Sequence, residues 1–125
     1  VGGAGTVTPL VNVTEILTVT VAAAQYGSGN RYYIDGVEAP TGTLNEGSTY
    51  LFDQSDSSNS GHPLRFSTTP DGTHGSGVQY TTGVTTNGTA GNAGAYTRIT
   101  VASGAPTLYY YCTNHSGMGG QANTP

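Results

Sequence analysis

Residues 108–118 read LYYYCTNHSGM, and this stretch decides how the rest of the chain is interpreted. Its first five residues, LYYYC, are β-forming and predict a strand. Asn and Gly follow and indicate a turn that begins at Cys112 and carries His115 and Met118. A turn of this length can direct the three side chains to one centre, whereas successive residues of a continuing strand face opposite sides. The segment therefore predicts a thiol, an imidazole and a thioether gathered at the end of a strand.

A second imidazole, that of His62, stands just before a strand predicted over residues 63–68, in which Leu64 and Phe66 share one face. Two histidines, a cysteine and a weak axial methionine are the donors of the trigonal copper site that proteins use for electron transfer. A single buried cysteine is more often a small core residue, so the order and spacing of all four donors carry the argument. Zinc is the weaker alternative, because a structural zinc site favours a further Cys, His or carboxylate as its fourth ligand.

Four stretches carry a resemblance to a known family. They are GSTYLFD (47–53), GHPLRF (61–66), ITVASGAPTLYYYC (99–112) and CTNHSGM (112–118). In order and spacing, residues 47–118 resemble the cupredoxins, the small blue copper proteins, with a ligand loop spaced as in amicyanins.

The resemblance implies a ligand set, a cofactor and a fold. The imidazoles of His62 and His115, the thiolate of Cys112 and the weak axial thioether of Met118 would bind one copper ion that cycles between Cu+ and Cu2+. The fold would be an all-β, Greek-key β-sandwich or barrel of the cupredoxin type. The domain would transfer one electron and would not be an enzyme.

The remainder of the chain fits one all-β domain over residues 13–125, with residues 1–12 as an N-terminal extension or an edge strand. Short β-forming runs at residues 13–22, 49–53 and 96–102 alternate with Gly, Asn and Asp. Asp35-Gly36 within residues 30–37 predicts a hairpin. The 28 residues from 67 to 94 form a loop-rich insertion with one short strand near 78–84, and such loops often serve as surface or subunit contacts. Because the chain begins at Val1, it is expected to be a processed product or a piece of something longer.

Two departures from the cupredoxin pattern lead to expectations. Pro63 follows His62 where the family commonly has an Asn whose backbone N–H bonds the cysteine sulfur, and proline has no N–H. We therefore expect a lower reduction potential than in relatives that keep this bond. Residues 119–125 (GGQANTP) lack the apolar alternation of a closing strand. We expect the core to lack that strand or to gain one from elsewhere, with residues 6–21 able to fill an edge in this domain or in a neighbouring copy.

Composition excludes several function classes. The chain has 125 residues, of which 8% are charged, and a net charge of −4. Its three basic residues are arginines, which leaves no basic surface for nucleic acid. No apolar run approaches the roughly 20 residues of a membrane span. The loop residues His74 and Asp53, Asp56 and Asp71 are expected to be a solvated imidazole and turn-forming acids.

Two functions follow. The first is an extracytoplasmic electron carrier with a redox protein as partner, its His115 near the surface in a small apolar patch with Pro63, Leu64, Gly117 and Met118. The second is a structural, adhesion or virion-surface module, since the ligand region also resembles cupredoxin-like domains of structural proteins from marine phages and cyanobacteria. In that module copper would be structural or absent, and the partners would be copies of the chain or a larger assembly.

Overall fold

The computed structural model describes residues 13–125, and their backbone is 42% strand and 6% helix. In chain order the strands are β1 (Glu15–Ala23), β2 (Asn30–Ile34), β3 (Val37–Glu38), β4 (Gly42–Thr43), β5 (Thr49–Asp53), β6 (Leu64–Ser67), β7 (Gln79–Tyr80), β8 (Val84–Asn87), β9 (Tyr96–Thr100), β10 (Leu108–Cys112) and β11 (Gly120–Asn123). A six-stranded sheet has the order β3-β2-β1-β5-β9-β8, and a five-stranded sheet has the order β4-β11-β10-β6-β7. Two short 3-10 helices, Ser57–Asn59 and Gly72–Gly75, lie in the connections. None of the helices in residues 13–125 is long and apolar enough to cross a membrane.

The core lies between the two sheets. Phe52 of the first sheet packs edge-on against Phe66 of the second, with ring centroids 5.4 Å apart. Successive residues of each strand point alternately into and out of this layer. In β9, Thr97 and Ile99 are buried, whereas Tyr96 and Arg98 are partly exposed. The predicted all-β, two-sheet fold is confirmed, and the Greek-key connection stays a prediction.

The Asp35-Gly36 turn joins β2 to β3 as the sequence predicts. Both residues have positive φ, 50° and 83°, which a two-residue hairpin turn requires and which glycine adopts without strain. The antiparallel pair Tyr33↔Glu38 follows directly.

The expectation that residues 6–21 supply an edge strand is wrong for the described part of that segment. β1 lies inside the first sheet, antiparallel to β2 and parallel to β5. Its Val19 is fully buried, so the strand is a part of the core rather than a cover for an open edge. Residues 1–12, predicted to be an extension or edge strand, lie outside the described residues.

The expectation of a missing closing strand is also wrong. β11 pairs antiparallel with β10 and parallel with β4. Its formation depends on backbone pairing, with Ala122 as its one buried apolar side chain, so no apolar alternation announces it. Gly119 explains how the chain reaches this position, because a Cβ there would collide with the carbonyl oxygen of Tyr110.

The loop-rich interval 67–94 contains two short strands where the sequence predicts one. β7 pairs with β6 in the second sheet, and β8 pairs with β9 in the first. The interval therefore crosses from one sheet to the other, and residues 69–77 at its start fold over the end of β10.

Candidate metal centre

Neighbouring strands bring the predicted ligands together across 50 positions of sequence. β6 and β10 are antiparallel, and Leu64 at the start of β6 pairs with Cys112 at the end of β10. His62 lies two residues before Leu64, and His115 lies three residues after Cys112. Both imidazoles consequently reach the end of β10, where the thiol projects into the core.

The three donors have the geometry of a shared ligand set. The Cys112 Sγ atom is 3.7 Å from Nδ1 of His62 and 3.6 Å from Nδ1 of His115. A thiolate and an imidazole bound to one ion at zinc-like bond lengths would be separated by about 3.6 Å at a tetrahedral angle and about 3.8 Å at a trigonal angle. One nitrogen of each imidazole is thus at the separation from the sulfur that a common ion produces.

The same distances also permit hydrogen bonds, because the thiol can donate to one Nδ1 atom and the other imidazole can donate its N–H to the sulfur. His62, Cys112 and His115 offer ligand atoms that all lie within 4.8 Å of one another, and no carboxylate joins this cluster among the described residues. The residues present therefore fit a soft metal ion bound by two nitrogens and one sulfur.

Met118 lies beside this cluster. Its side chain is buried, with 1% exposed, and it borders an open cavity of about 360 Å³ that His62 and His115 also line. The structure thus places the fourth predicted ligand on the same cavity, while the close set of three comprises two histidines and the cysteine.

Burial is graded across the centre. Cys112 is fully buried, His62 is half-buried and His115 is exposed. The predicted exposure of His115 is confirmed. The prediction of an apolar surface patch around His115 is wrong for two of its members. Leu64 and Met118 are buried, with 0% and 1% of their surface exposed.

A buried polar network that the sequence analysis missed fixes the backbone of His62. The carbonyl oxygen of His62 accepts hydrogen bonds from the Tyr32 hydroxyl at 2.6 Å and from Nε2 of Gln54 at 2.8 Å. Gln54 also accepts from the Leu64 N–H at 2.9 Å and donates to Oδ1 of Asn59 at 3.0 Å. Asn59 in turn donates to the Val19 carbonyl.

This network anchors the histidine to both sheets. Gln54 and Asn59 are 2% and 0% exposed, and Val19 lies in β1 of the first sheet while Leu64 lies in β6 of the second. The only sequence signal was a pair of amides in a Ser- and Asp-rich loop, and such residues are ordinarily interpreted as turn formers.

Electrostatics keep the groups of the centre in useful protonation states. Burial, with a smaller effect from the neighbouring His115, lowers the pKa of His62, so its imidazole is neutral and able to bind a metal at neutral pH. Burial, followed by the charge of the adjacent Cys112, raises the pKa of the Tyr32 hydroxyl. Tyr32 therefore remains a neutral hydrogen-bond donor to the His62 carbonyl.

Pro63 occupies the position expected from the sequence, between His62 and β6. It contributes no N–H to the sulfur, and its carbonyl accepts from the Thr113 N–H at 3.3 Å. The two Nδ1 atoms lie at hydrogen-bond distance from Sγ, and the Tyr32 hydroxyl also interacts with this sulfur. Pro63 supplies no backbone donor at its position, and the lowered potential stays a prediction.

Asp53 and Asp56 form turns as predicted. Asp53 accepts from the Ser55 N–H at 2.9 Å, and Asp56 caps the short helix Ser57–Asn59 by accepting from the Ser58 N–H at 3.0 Å. These two hydrogen bonds satisfy the turns in which they lie, and neither carboxylate belongs to the three-residue cluster.

His74 and Asp71 behave differently from the expectation. His74 is exposed but not merely solvated, because its Nε2 lies 2.8 Å from the carbonyl oxygen of Cys112. Asp71 accepts from the N–H of Gly117 at 2.9 Å, so it binds the ligand loop as well as shaping its own turn. Sequence spacing alone gives no sign that these residues reach the site.

No protein-family model matches the chain, and no curated protein sequence matches it.

Proposed function

We propose that residues 13–125 are a mononuclear copper-binding domain of the cupredoxin type that carries one electron. The observation that carries the proposal is the placement of two imidazole Nδ1 atoms at 3.6 and 3.7 Å from one buried cysteine sulfur. His62, Cys112 and His115 would hold the ion, with Met118 as a weak axial ligand. Copper bound by such donors supplies a reversible one-electron couple.

The donor chemistry favours copper over zinc. Thiolate and thioether are soft ligands that suit Cu(I), and imidazole serves both oxidation states of copper. A structural zinc site commonly completes its tetrahedron with another Cys or His. Within the described residues the cluster of His, Cys, Asp and Glu side chains stops at three members, and the neighbouring side chain on the cavity is Met118.

Exposure suggests the route of the electron. Cys112 lies on the buried side of the centre, and His115 lies on its exposed side, next to solvent. A redox protein docking over His115 would be the electron partner. We propose an extracytoplasmic location for this electron carrier and no bond chemistry for the domain.

A spectroscopic titration tests the proposal. Cu(II) is added to the purified chain and to two variants, Cys112→Ser and the matched control Ser116→Ala, which alters an exposed residue between His115 and Met118. We expect an intense band near about 600 nm that saturates at one copper, is lost in Cys112→Ser and persists in Ser116→Ala. Cys112 is the only cysteine of the chain, so the band can be assigned without ambiguity.

The alternative function gives a different result. A folded chain with no thiolate–copper band, or with a band but no reversible couple by voltammetry, would contradict the electron carrier. That outcome would favour the structural or virion-surface module, in which copper binds only as a staple of the folded state or is absent.

A further inference from the structure

Residues 69–77, called here the clamp turn, contact the ligand loop 112–118 at both of its ends. At one end, Nε2 of His74 lies 2.8 Å from the Cys112 carbonyl oxygen. A carbonyl oxygen only accepts, so Nε2 carries the proton and donates. At the other end, Oδ1 of Asp71 accepts from the Gly117 N–H at 2.9 Å.

The clamp turn also packs tightly against the strand that leads into the site. Gly72 lies on the ring of Tyr111, and a Cβ at that position would come within 2.5 Å of the ring carbons. Tyr111 immediately precedes Cys112 and is fully buried under this turn. No side chain larger than hydrogen fits between the turn and the ring, so the two segments are held at backbone distance.

The backbone of the clamp turn is strained in the way that positioning segments often are. Asp71 and Ser76, on either side of the short helix Gly72–Gly75, have φ of 61° and 69°, which non-glycine residues rarely adopt. At Asp71 the unusual backbone directs the carboxylate to Gly117. The carbonyl of Gly117 is held from the opposite side by Nη1 of Arg31 at 2.7 Å, so the peptide groups on both sides of this residue are fixed.

We propose that His74 and Asp71 are positioning residues for the metal centre, and that the clamp turn holds the ligand loop in its binding geometry. This inference rests on the proposed copper function. Cys112 supplies the sulfur, and Gly117 lies between His115 and Met118, so fixing the Cys112 and Gly117 peptides restrains all three loop ligands. The first part of the loop-rich insertion thus acts on the metal site, rather than as the surface or subunit contact expected from its length.

The test begins with the metal-free chain. The rate at which a thiol reagent labels the buried Cys112 reports how often the ligand loop opens. The variants are His74→Ala, which removes the donor, His74→Gln, which keeps an N–H donor, and the control Thr73→Ala on the same turn. We expect labelling about fivefold faster in His74→Ala, the change in an opening equilibrium that loss of one neutral hydrogen bond produces. Thr73→Ala should match the unaltered chain, and His74→Gln should lie between.

A second pair of variants examines Asp71. Asp71→Gly removes the carboxylate without a penalty for positive φ, whereas Asp71→Asn keeps an acceptor oxygen and tolerates the same backbone. We expect Asp71→Gly to accelerate labelling by at least tenfold, because the lost hydrogen bond has a charged acceptor, and Asp71→Asn to restore most of the protection. Circular dichroism verifies that every variant is folded at the labelling temperature.

Copper provides the readout that a purely structural role would not change. Cu(I) affinity is measured by competition with a chromophoric chelator, and the position of the Cu(II) band is recorded for each variant. We expect His74→Ala and Asp71→Gly to bind copper about 10- to 100-fold more weakly, with a shifted band, as is typical when a partner of a ligand is removed.

The inference is overturned if His74→Ala and Asp71→Gly leave both the Cys112 labelling rate and the copper affinity unchanged. It is also overturned if labelling becomes faster while the copper affinity and the position of the Cu(II) band stay the same. If the unaltered chain itself binds no copper, the proposed function fails, and the labelling rates alone then decide whether the clamp turn restrains the ligand loop.

Discussion

Replacement of Gln54 by leucine should strongly destabilise the fold around the metal centre while it leaves every proposed ligand in place. The Gln54 side chain makes three hydrogen bonds, to the His62 carbonyl, to Oδ1 of Asn59 and from the Leu64 N–H. It is 2% exposed, so no water replaces these partners in the folded chain. Leucine has a similar volume, and the change therefore removes polar contacts without opening a large cavity.

The magnitude follows from this inventory. Each lost hydrogen bond contributes about 1 kcal/mol, and a buried donor left without a partner costs about 1–3 kcal/mol. The Leu64 N–H is such an orphan. We expect Gln54→Leu to reduce the free energy of unfolding by about 3–5 kcal/mol, which is a large part of the about 5–15 kcal/mol typical of a domain.

Urea denaturation followed by tyrosine fluorescence measures the effect, since the chain has nine tyrosines and no tryptophan. The control is Gln79→Leu, the same chemical change at an exposed position of β7, which should stay within about 0.5 kcal/mol of the unaltered chain. Copper affinity should also fall by about tenfold or more, because Gln54 binds the His62 carbonyl and the Leu64 N–H that follows it. A Gln54→Leu chain that unfolds within 1 kcal/mol of the original would refute the argument that this network holds the histidine.

Three further predictions concern other parts of the molecule. Gly119→Ala should unpair β11, because the added Cβ meets the Tyr110 carbonyl, and amide hydrogen exchange at residues 120–123 should accelerate. The control Gly104→Ala, which has open space around it and φ of 76°, should lower the free energy of unfolding by only about 1–2 kcal/mol. Pro63→Asn supplies a backbone N–H that can bond the thiolate, which is more electron-rich when copper is reduced. The potential measured by voltammetry should rise by about 40 mV for a bond that stabilises the reduced form about 1 kcal/mol more than the oxidised form, and an unchanged or lower value contradicts the role assigned to Pro63. Copper at about 100 times its dissociation constant should stabilise the fold by about 2.7 kcal/mol, seen as a higher melting temperature, and Cys112→Ser should abolish the shift.

The sequence was informative wherever apolar periodicity or turn chemistry determines structure. β5 and β10 begin and end at the predicted residues, Thr49–Asp53 and Leu108–Cys112, because each is a short run of β-forming residues between turns. The approach of His62, Cys112 and His115 was expected from the order and spacing of the donors and from the cupredoxin resemblance, whereas the antiparallel pairing of β6 with β10 that produces it is seen only in the structure. Met118 lines the same cavity as His62 and His115, and its role as a ligand stays a prediction.

Two kinds of feature were not predictable from the sequence: a strand formed by backbone pairing alone, and polar contacts between residues that are distant in the chain. β11 is formed by hydrogen bonds of the residues GQAN, which have no apolar alternation, and its approach to β10 depends on the missing side chain of Gly119. Gln54 and His74 reach the site through hydrogen bonds to backbone groups of distant residues, and no periodicity or spacing rule encodes such partners. Polar residues in loops are ordinarily solvated, so their interpretation as turn formers is the default that tertiary contacts override.

These contacts change what the metal centre demands of the rest of the chain. The first sheet holds the ligand loop through the Tyr32 N–H, which donates to the Met118 carbonyl at 2.9 Å, and the clamp turn holds it through His74 and Asp71. A loop restrained from two directions does not have to be ordered when an ion arrives, so less of the binding free energy is spent on fixing it. The same restraint opposes movement of the donors when the charge of the ion changes by one. If copper is the ion, the polar contacts around the loop should help to keep the ligands in place when the centre gains or loses an electron.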